Sequence, residues 1–267
     1  MNRWRRRTEW TTDFPLFLSE FLLSYNQITH PTMPSSGISF RGGSGSPEFH
    51  DVLADFKQRG CNILVTGRVS ETTTNRTTMQ LLGASTEERK RVLVLTDTTA
   101  RYANSKLPGG TNAGDPDVWV IDWGDDERSV SGSGSMAVPE TPRLTTSPED
   151  SIRELRSDIV TAVSFFDEWA DGLTPSELRL SFDSLIKPLE RCDQEAVERF
   201  LRTVMALVRG VSGMAHYHLP VPTSNPVVQE LTPLFDARVE LRQSNGLVPE
   251  QRWHIPEYDQ TTNWVQL

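Results

Sequence analysis

The chain has 267 residues and a formal net charge of −9, with 36% hydrophobic and 24% charged residues. This length and composition suffice for one large α/β domain or two small ones with a packed core. The acidic balance argues against non-specific nucleic-acid binding, which needs a positive surface. Two cysteines, Cys61 and Cys192, argue against a disulfide framework, and the longest apolar run, "FPLFLSEFLL", is too short to span a membrane.

The basic residues are almost all arginine. Only four of the 27 are lysine, so 27 − 4 = 23 are arginine, and threonine is abundant. Acids that hold hydration and few lysines suit a protein kept in solution at high salt. The composition therefore indicates a cytoplasmic protein of a halophile, with an ordinary acidic cytosolic protein as the alternative.

The first 46 residues differ from the rest. Residues 1–32 carry a local charge of +1, and a Ser/Gly/Pro-rich stretch follows. We interpret residues 1–46 as a disordered extension, or as a sign that translation begins at Met33. A membrane-touching amphipathic tail is a third interpretation. The main domain is expected over 47–257, with a flexible loop at 123–147 and a C-terminal tail at 258–267.

Strand and helix patterns alternate along the chain from residue 46. Short continuous apolar runs mark buried strands, and apolar residues at helical spacing mark helices. In chain order we predict a helix in "SPEFHDVLADFKQR", a strand in "CNILVTG", a helix in "TTTNRTTMQLLG", strands in "RVLVLTD" and "DVWVIDWG", a helix in "SPEDSIRELRSDIVTAVSFFDEWADG", a strand in "ELRLSFDSL", a helix in "DQEAVERFLRTVMALVRG", a strand in "GMAHYHLPV", a helix in "NPVVQELTPLF" and strands in "ARVELR" and "QRWHIPE". This alternation predicts an α/β fold, a mainly parallel sheet flanked by helices.

The stretch "NILVTGRVSETTTN" has the layout of a phosphate-binding loop, GxxxxGK[ST]. Gly67 takes the first glycine and Arg68 the first spacer, while Thr72, Thr73 and Thr74 replace the glycine, the lysine and the hydroxyl residue in turn. In a working loop the backbone amides surround phosphate, the lysine adds charge and the hydroxyl helps hold Mg²⁺.

The threonine substitutions weaken that motif. Thr72 lacks the freedom of glycine at positive φ, Thr73 removes a cation, and Glu71 adds negative charge where phosphate would sit. Arg68 or Arg76 is a substitute cation, although a surface salt link is the alternative role for either.

Asp183 ends the apolar strand "LRLSF" and is a candidate Mg²⁺ ligand together with Thr74. We expect residues 62–66 and 178–183 to be adjacent strands of one sheet. The alternative is that Asp183 and Ser184 only cap the turn after the strand.

These segments resemble, in order, the RecA/KaiC-like ATPase superfamily, and most nearly an uncharacterised haloarchaeal branch with degraded nucleotide motifs. The resemblance covers about residues 48–256 and is carried by "GCNILVTGRVSETTTNRTTMQLLG", "RVLVLTD", "LRLSFDSL", "ERFLRTVMALVRGVSGMAHYHLPV" and "LFDARVELR". It implies a RecA-like P-loop NTPase core with Asp183 at the Walker-B position. ATP and Mg²⁺ are the implied ligands, and active relatives assemble into rings or filaments.

Two catalytic candidates follow from the resemblance. Active relatives activate water with an acid after the second strand, where Asp97 stands here in place of the usual, longer glutamate. They also sense the γ-phosphate with a polar residue at the strand end that His218 occupies.

Other polar residues have simpler interpretations. His216 and His218 face one side of a predicted strand and form either an acid/base or metal cluster with Asp183 or a hydrogen-bonded pair at the sheet end. His254 is interpreted as a packing or surface residue. Asp122, Asp125 and Asp126 form an acidic loop, either a cation site or a solvated surface.

Three functions compete. The first is a degenerate RecA/KaiC-like protein that acts as a non-hydrolysing regulatory or interaction module, with a protein partner or through self-association. The second is an active ATP-binding ATPase that uses Arg68 or Arg76. The third is an accessory protein of DNA recombination or repair, against which the acidic body counts.

Overall fold

The computed structural model describes residues 48–124, 130–132, 147–244 and 248–267, with only the backbone of 130–132. The extension interpreted above, at 1–46, and the acidic pair Asp125 and Asp126 lie outside these residues.

The described strands form a single ten-stranded sheet. Its order is β10-β8-β7-β1-β6-β5-β2-β3-β4, with β9 paired to β8. The six strands from β7 to β3 in this order are parallel neighbours, and the pairs at both ends are antiparallel. The predicted mainly parallel sheet is therefore confirmed. The strands are β1 Cys61–Thr66, β2 Lys90–Leu95, β3 Val118–Asp122, β4 Val130–Gly132, β5 Leu178–Phe182, β6 Met214–Leu219, β7 Ala237–Arg242, β8 Glu250–Ile255, β9 Gln260–Thr261 and β10 Val265–Gln266.

Four of the six described α-helices begin after a residue whose side chain caps them. Ser147 and Asp193 accept hydrogen bonds from the N–H groups of Asp150 and Ala196, which satisfies amides that have no partner inside the helix. The helices are α1 Phe49–Arg59, α2 Glu71–Leu82, α3 Pro148–Trp169, α4 Ile186–Arg191, α5 Gln194–Gly210 and α6 Pro226–Leu231, with 3₁₀ turns at Ala100–Lys106, Thr232–Leu234 and Pro256–Tyr258.

Both faces of the sheet are covered. On one face α3 and α5 bury their apolar stripes against β2, β5 and β6. On the other face α1 packs on β1, β7 and β8, while the end of α2 and the first 3₁₀ turn pack on β2 and β3. The predicted stripe of α3 is buried, and each such side chain contributes about 2 kcal/mol of hydrophobic free energy. The stripe consists of Ile152, Leu155, Ile159, Val163 and Phe166.

The expected adjacency of residues 62–66 and 178–183 is wrong. Strand β6 lies between β1 and β5 and pairs in parallel with both. Long crossover connections let a later strand enter the sheet between two earlier ones, so chain order does not fix strand order. The ends of β1, β6, β5 and β2 nevertheless lie at the same edge of the sheet.

The last ten residues continue the sheet. β9 and β10 both pair with β8, and the side chain of Leu267 is buried against the α1 side. Among the described residues, no helix combines the length and the apolar composition needed to cross a membrane.

Candidate functional site

The loop between β1 and α2 is held tightly against β7. Gly67 has φ +118, and a Cβ built on it would lie 2.1 Å from the carbonyl oxygen of Leu241. Its N–H donates to the carbonyl of Val221 at 3.0 Å. Glycine is required here because of both the positive φ and the close backbone approach.

The N-terminus of α2 is closed by side chains of the protein itself. Ser70 is the N-cap, and its Oγ accepts from the N–H of Thr73 at 3.3 Å. The Oε1 atom of Gln243 accepts from the Thr73 hydroxyl at 2.9 Å and from the Ser70 N–H at 3.3 Å. An amide oxygen therefore sits where the helix terminus presents its donors, the position that an anion takes in a phosphate loop.

The remaining loop residues are distributed between the helix and the surface. The Thr74 hydroxyl donates to the carbonyl of Ser70 at 3.3 Å, within the first turn of the helix. Thr72, Arg68 and Arg76 are exposed. Helix α2 begins at Glu71, one residue before Thr72, so only three residues separate Gly67 from the helix.

Asp183 is almost fully buried and surrounded by donors. Its Oδ1 accepts from the N–H and the hydroxyl of Thr96, at 2.6 and 2.9 Å, and its Oδ2 accepts from the N–H and the hydroxyl of Thr98, at 3.0 and 2.7 Å. The N–H of Asp97 adds a longer bond of 3.3 Å, while the Asp97 side chain is exposed. These hydrogen bonds connect the end of β5 to the turn after β2 through the Asp183 carboxylate. Ser184 caps the next turn, since its Oγ accepts from the N–H of Ile186.

His218 and His216 lie behind α2 rather than at its N-terminus. The Nε2 of His218 is 2.9 Å from the hydroxyl of Thr78, and the two imidazole rings meet edge to face at 5.4 Å. Burial lowers the pKa of His218 to about 3, and the nearby Lys106 ammonium adds to that shift. Burial, followed by the charge of His218, lowers the pKa of His216 as well. Both imidazoles are therefore neutral at pH 7.

No cluster of three or more His, Cys, Asp or Glu side chains able to hold a metal occurs in the described part of the chain. Asp122 accepts from the N–H groups of Ala100 and Gly124, at 2.7 and 2.9 Å, and so caps two turns. Cys61 and Cys192 are buried, and burial raises the pKa of the Cys61 thiol to about 12. His254 lies on β8, where it contacts Glu240.

Several residues that shape the site give no local sequence signal. Gln243 directly follows β7 and lies 170 residues from Thr73 in the sequence. A single glutamine after a strand is common and predicts no contact with a distant loop. Thr96 and Thr98 look like ordinary turn residues until β5 is placed beside β2. Lys106 is buried in a 3₁₀ turn, 3.4 Å from the Oδ1 of Asn75. Of these residues, only the role of Ser70 could have been predicted from the sequence, because serine is a preferred N-cap.

Comparison with known proteins gives one family and a distant structural likeness. The family model described as "Family of unknown function (DUF7504)" matches residues 60–241. A crystal structure of a KaiC-like protein from the hyperthermophilic archaeon Pyrococcus horikoshii OT3 matches 74% of this chain and 80% of its own, with 14% identity and a TM-score of 0.47. A search of the curated proteins finds no match.

Proposed function

Since the chain belongs to DUF7504, a family of unknown function, we propose a function from its own site: a non-hydrolysing regulatory or interaction module built on a degenerate RecA/KaiC-like core. The proposal includes a halophilic, cytoplasmic setting, which the acid-rich and lysine-poor composition supports. The observation that carries it is the hydrogen bonding of Gln243 to Ser70 and Thr73 at the N-terminus of α2.

The loop lacks the lysine that a phosphate loop offers to a triphosphate. A phosphate loop supplies inward-facing N–H groups and one lysine to a group with several negative charges. Here Thr73 replaces the lysine and directs its hydroxyl to Gln243, while Glu71 brings a carboxylate to the first turn. A bound phosphate would have to displace the Gln243 amide and would meet Glu71 without the lysine that a phosphate loop supplies.

The two candidate magnesium ligands, Asp183 and Thr74, already make hydrogen bonds within the protein. Mg²⁺ is held through oxygen atoms that are free to face the metal and its water shell. Both carboxylate oxygens of Asp183 accept bonds from Thr96 and Thr98, and the Thr74 hydroxyl donates to its own helix. The residues present therefore do not fit Mg-ATP, and we derive no step through that ligand.

The competing function is ATP binding with an arginine in place of the lysine. It is favoured by the exposure of Arg68, which directly follows Gly67, and of Arg76, which lies one turn into α2. These side chains are long enough to reach a ligand bound outside the loop, so the competition is decided by measurement.

Isothermal titration with Mg-ATP in high salt separates the two functions. We expect no heat of binding for the wild type or for Arg68→Ala. Wild-type binding with micromolar Kd that is lost in Arg68→Ala or Arg76→Ala, but kept in Arg202→Ala on the exposed face of α5, would establish the ATP-binding function instead. Light scattering of the same samples, with and without nucleotide, measures self-association, which the proposal expects to be independent of ATP.

A further inference from the structure

A second polar cluster lies on the β7, β8 and β9 strands, outside the loop. The hydroxyl of Thr261 is 3.0 Å from the Nδ1 of His254, and the Nε2 of His254 is 3.0 Å from the Oε2 of Glu240. Thr261 stands directly opposite His254 in the β8–β9 register, which fixes the first contact. The side chains face away from α1, because the alternate residues of β7 and β8 form the core beneath that helix.

The Glu240 carboxylate is ionised and oriented. Burial alone would raise its pKa, but hydrogen bonds from His254, Arg252 and Thr223 outweigh burial and lower the pKa to about 2. An ionised carboxylate only accepts hydrogen bonds, so the Nε2 of His254 must carry the proton. In the neutral imidazole, Nδ1 then has a free lone pair, and the Thr261 hydroxyl is its donor.

We propose that Thr261, His254 and Glu240 form a hydroxyl–imidazole–carboxylate triad that accepts acyl groups from small carboxylic esters. Such a chain activates a hydroxyl when the imidazole takes its proton and the carboxylate stabilises the resulting imidazolium. The half-buried position of Thr261 leaves the hydroxyl within reach of a small ligand, and about a fifth of the His254 side chain is exposed.

Charged and aromatic side chains lie on and next to the strands of the triad. Arg238 stands opposite His254 in the β7–β8 register, and its Nε and Nη1 atoms are buried without hydrogen-bond partners in the described part of the chain. Trp264, three residues after Thr261, lies under the guanidinium groups of Arg242 and Arg252, at 3.9 and 4.5 Å from its ring centre.

The reaction has two balanced steps. First, Oγ1 of Thr261 attacks the ester carbonyl carbon while its proton passes to Nδ1 of His254, and the alcohol leaves with that proton, so that acyl-threonine forms. Second, water attacks the acyl carbon, passes one proton through His254 to the leaving Oγ1 of Thr261, and releases the carboxylic acid. No oxidant, reductant or metal is needed. This chemistry does not depend on the function proposed for the loop.

The test uses p-nitrophenyl acetate as the probe, with release of p-nitrophenolate and peptide mass mapping at early times as the two readouts. In the wild type we expect an acetyl group on Thr261. The Thr261→Ser variant should be acetylated at the same position, and the Thr261→Val variant should not be acetylated there. His254→Gln should lower the labelling rate at residue 261 about 100-fold, the lower range for loss of a general base.

Controls separate the triad from general reactivity. Thr203→Val removes an exposed hydroxyl on α5 and should leave both readouts unchanged, and the melting temperature of each variant shows that it is folded. Acetylation confined to lysines or to other hydroxyls in the wild type would overturn the proposal. A wild-type rate in both Thr261→Val and His254→Gln would overturn it as well.

Discussion

Acidification probes the buried histidine pair behind α2. His218 is neutral in the folded chain, with a pKa of about 3 against the ordinary value of 6.5, because burial and the Lys106 ammonium disfavour its charged form. In the unfolded chain it titrates normally. Below pH 6.5 the unfolded state therefore binds a proton that the folded state does not, and the free energy of unfolding falls as the pH falls. Above pH 6.5 the histidine makes no contribution to the pH dependence.

The magnitude follows from the two pKa values. One pKa unit corresponds to about 1.4 kcal/mol, so lowering the pH from 7 to 5 costs about 2 kcal/mol through His218 alone. The pKa of His216 is lowered in the same direction, so this histidine adds to the loss. Carboxylates titrate mostly below pH 5, so the change in unfolding free energy between pH 7 and 5 comes mainly from histidines.

Urea unfolding at pH 7, 6 and 5, at constant ionic strength, measures the effect. His218→Gln keeps a hydrogen-bonding group for Thr78 but cannot be protonated, so we expect the loss of stability from pH 7 to 5 to be smaller by about 2 kcal/mol. His50→Gln removes an exposed histidine on α1 and should behave as the wild type. Equal slopes of unfolding free energy against pH in the wild type and His218→Gln would refute the reasoning.

Two substitutions test the loop edge, and one measurement of thiol reactivity tests the burial of β1. Gly67→Ala should cost at least about 3 kcal/mol of unfolding free energy, because the new Cβ would meet the Leu241 carbonyl. Gly109→Ala is the control, since its Cβ would meet no atom within 4 Å and should leave the free energy nearly unchanged. Urea unfolding measures both variants. Asp183→Ala should cost about 3 kcal/mol or more because it leaves buried donors without an acceptor, and Mg-ATP should not restore the melting temperature. The Cys61 thiol should stay unreactive toward a disulfide reagent until the chain unfolds, as followed by thiol release, because burial raises its pKa to about 12.

Local patterns predicted the elements well, and the reason is that their signals are local. The caps Ser147 and Asp193, and Asn225 before α6, stand beside the helices that they begin. Continuous apolar runs mark β1, β2 and β5 because both faces of these strands are covered. The six-residue helix α4 was missed because it follows Leu185, which makes no side-chain cap, whereas the equally short α6 carries Asn225 as cap and Pro226 in its first turn.

The site was less predictable because its contacts are long-range. Asp183 was identified as a strand-end carboxylate, but its partners Thr96 and Thr98 depend on β5 lying beside β2. The insertion of β6 between β1 and β5 is likewise a property of the crossovers. Gln243, whose amide bonds to Ser70 and Thr73, follows β7, which flanks β1 on the side opposite β6. The loop sequence alone does not indicate this partner.

Strand β7 makes the closed loop costly to open. The Thr66 hydroxyl donates to the carbonyl of Val239, Gly67 fits against Leu241, and Gln243 bonds to the cap and to Thr73. Admitting a phosphate would break the two Gln243 bonds and the Ser70 cap, at about 1 kcal/mol each. A total of about 3 kcal/mol would weaken the apparent affinity about 100-fold before any repulsion from Glu71. The residues of the loop and the position of β7 therefore act in the same direction, toward a helix terminus whose donors are satisfied without a ligand.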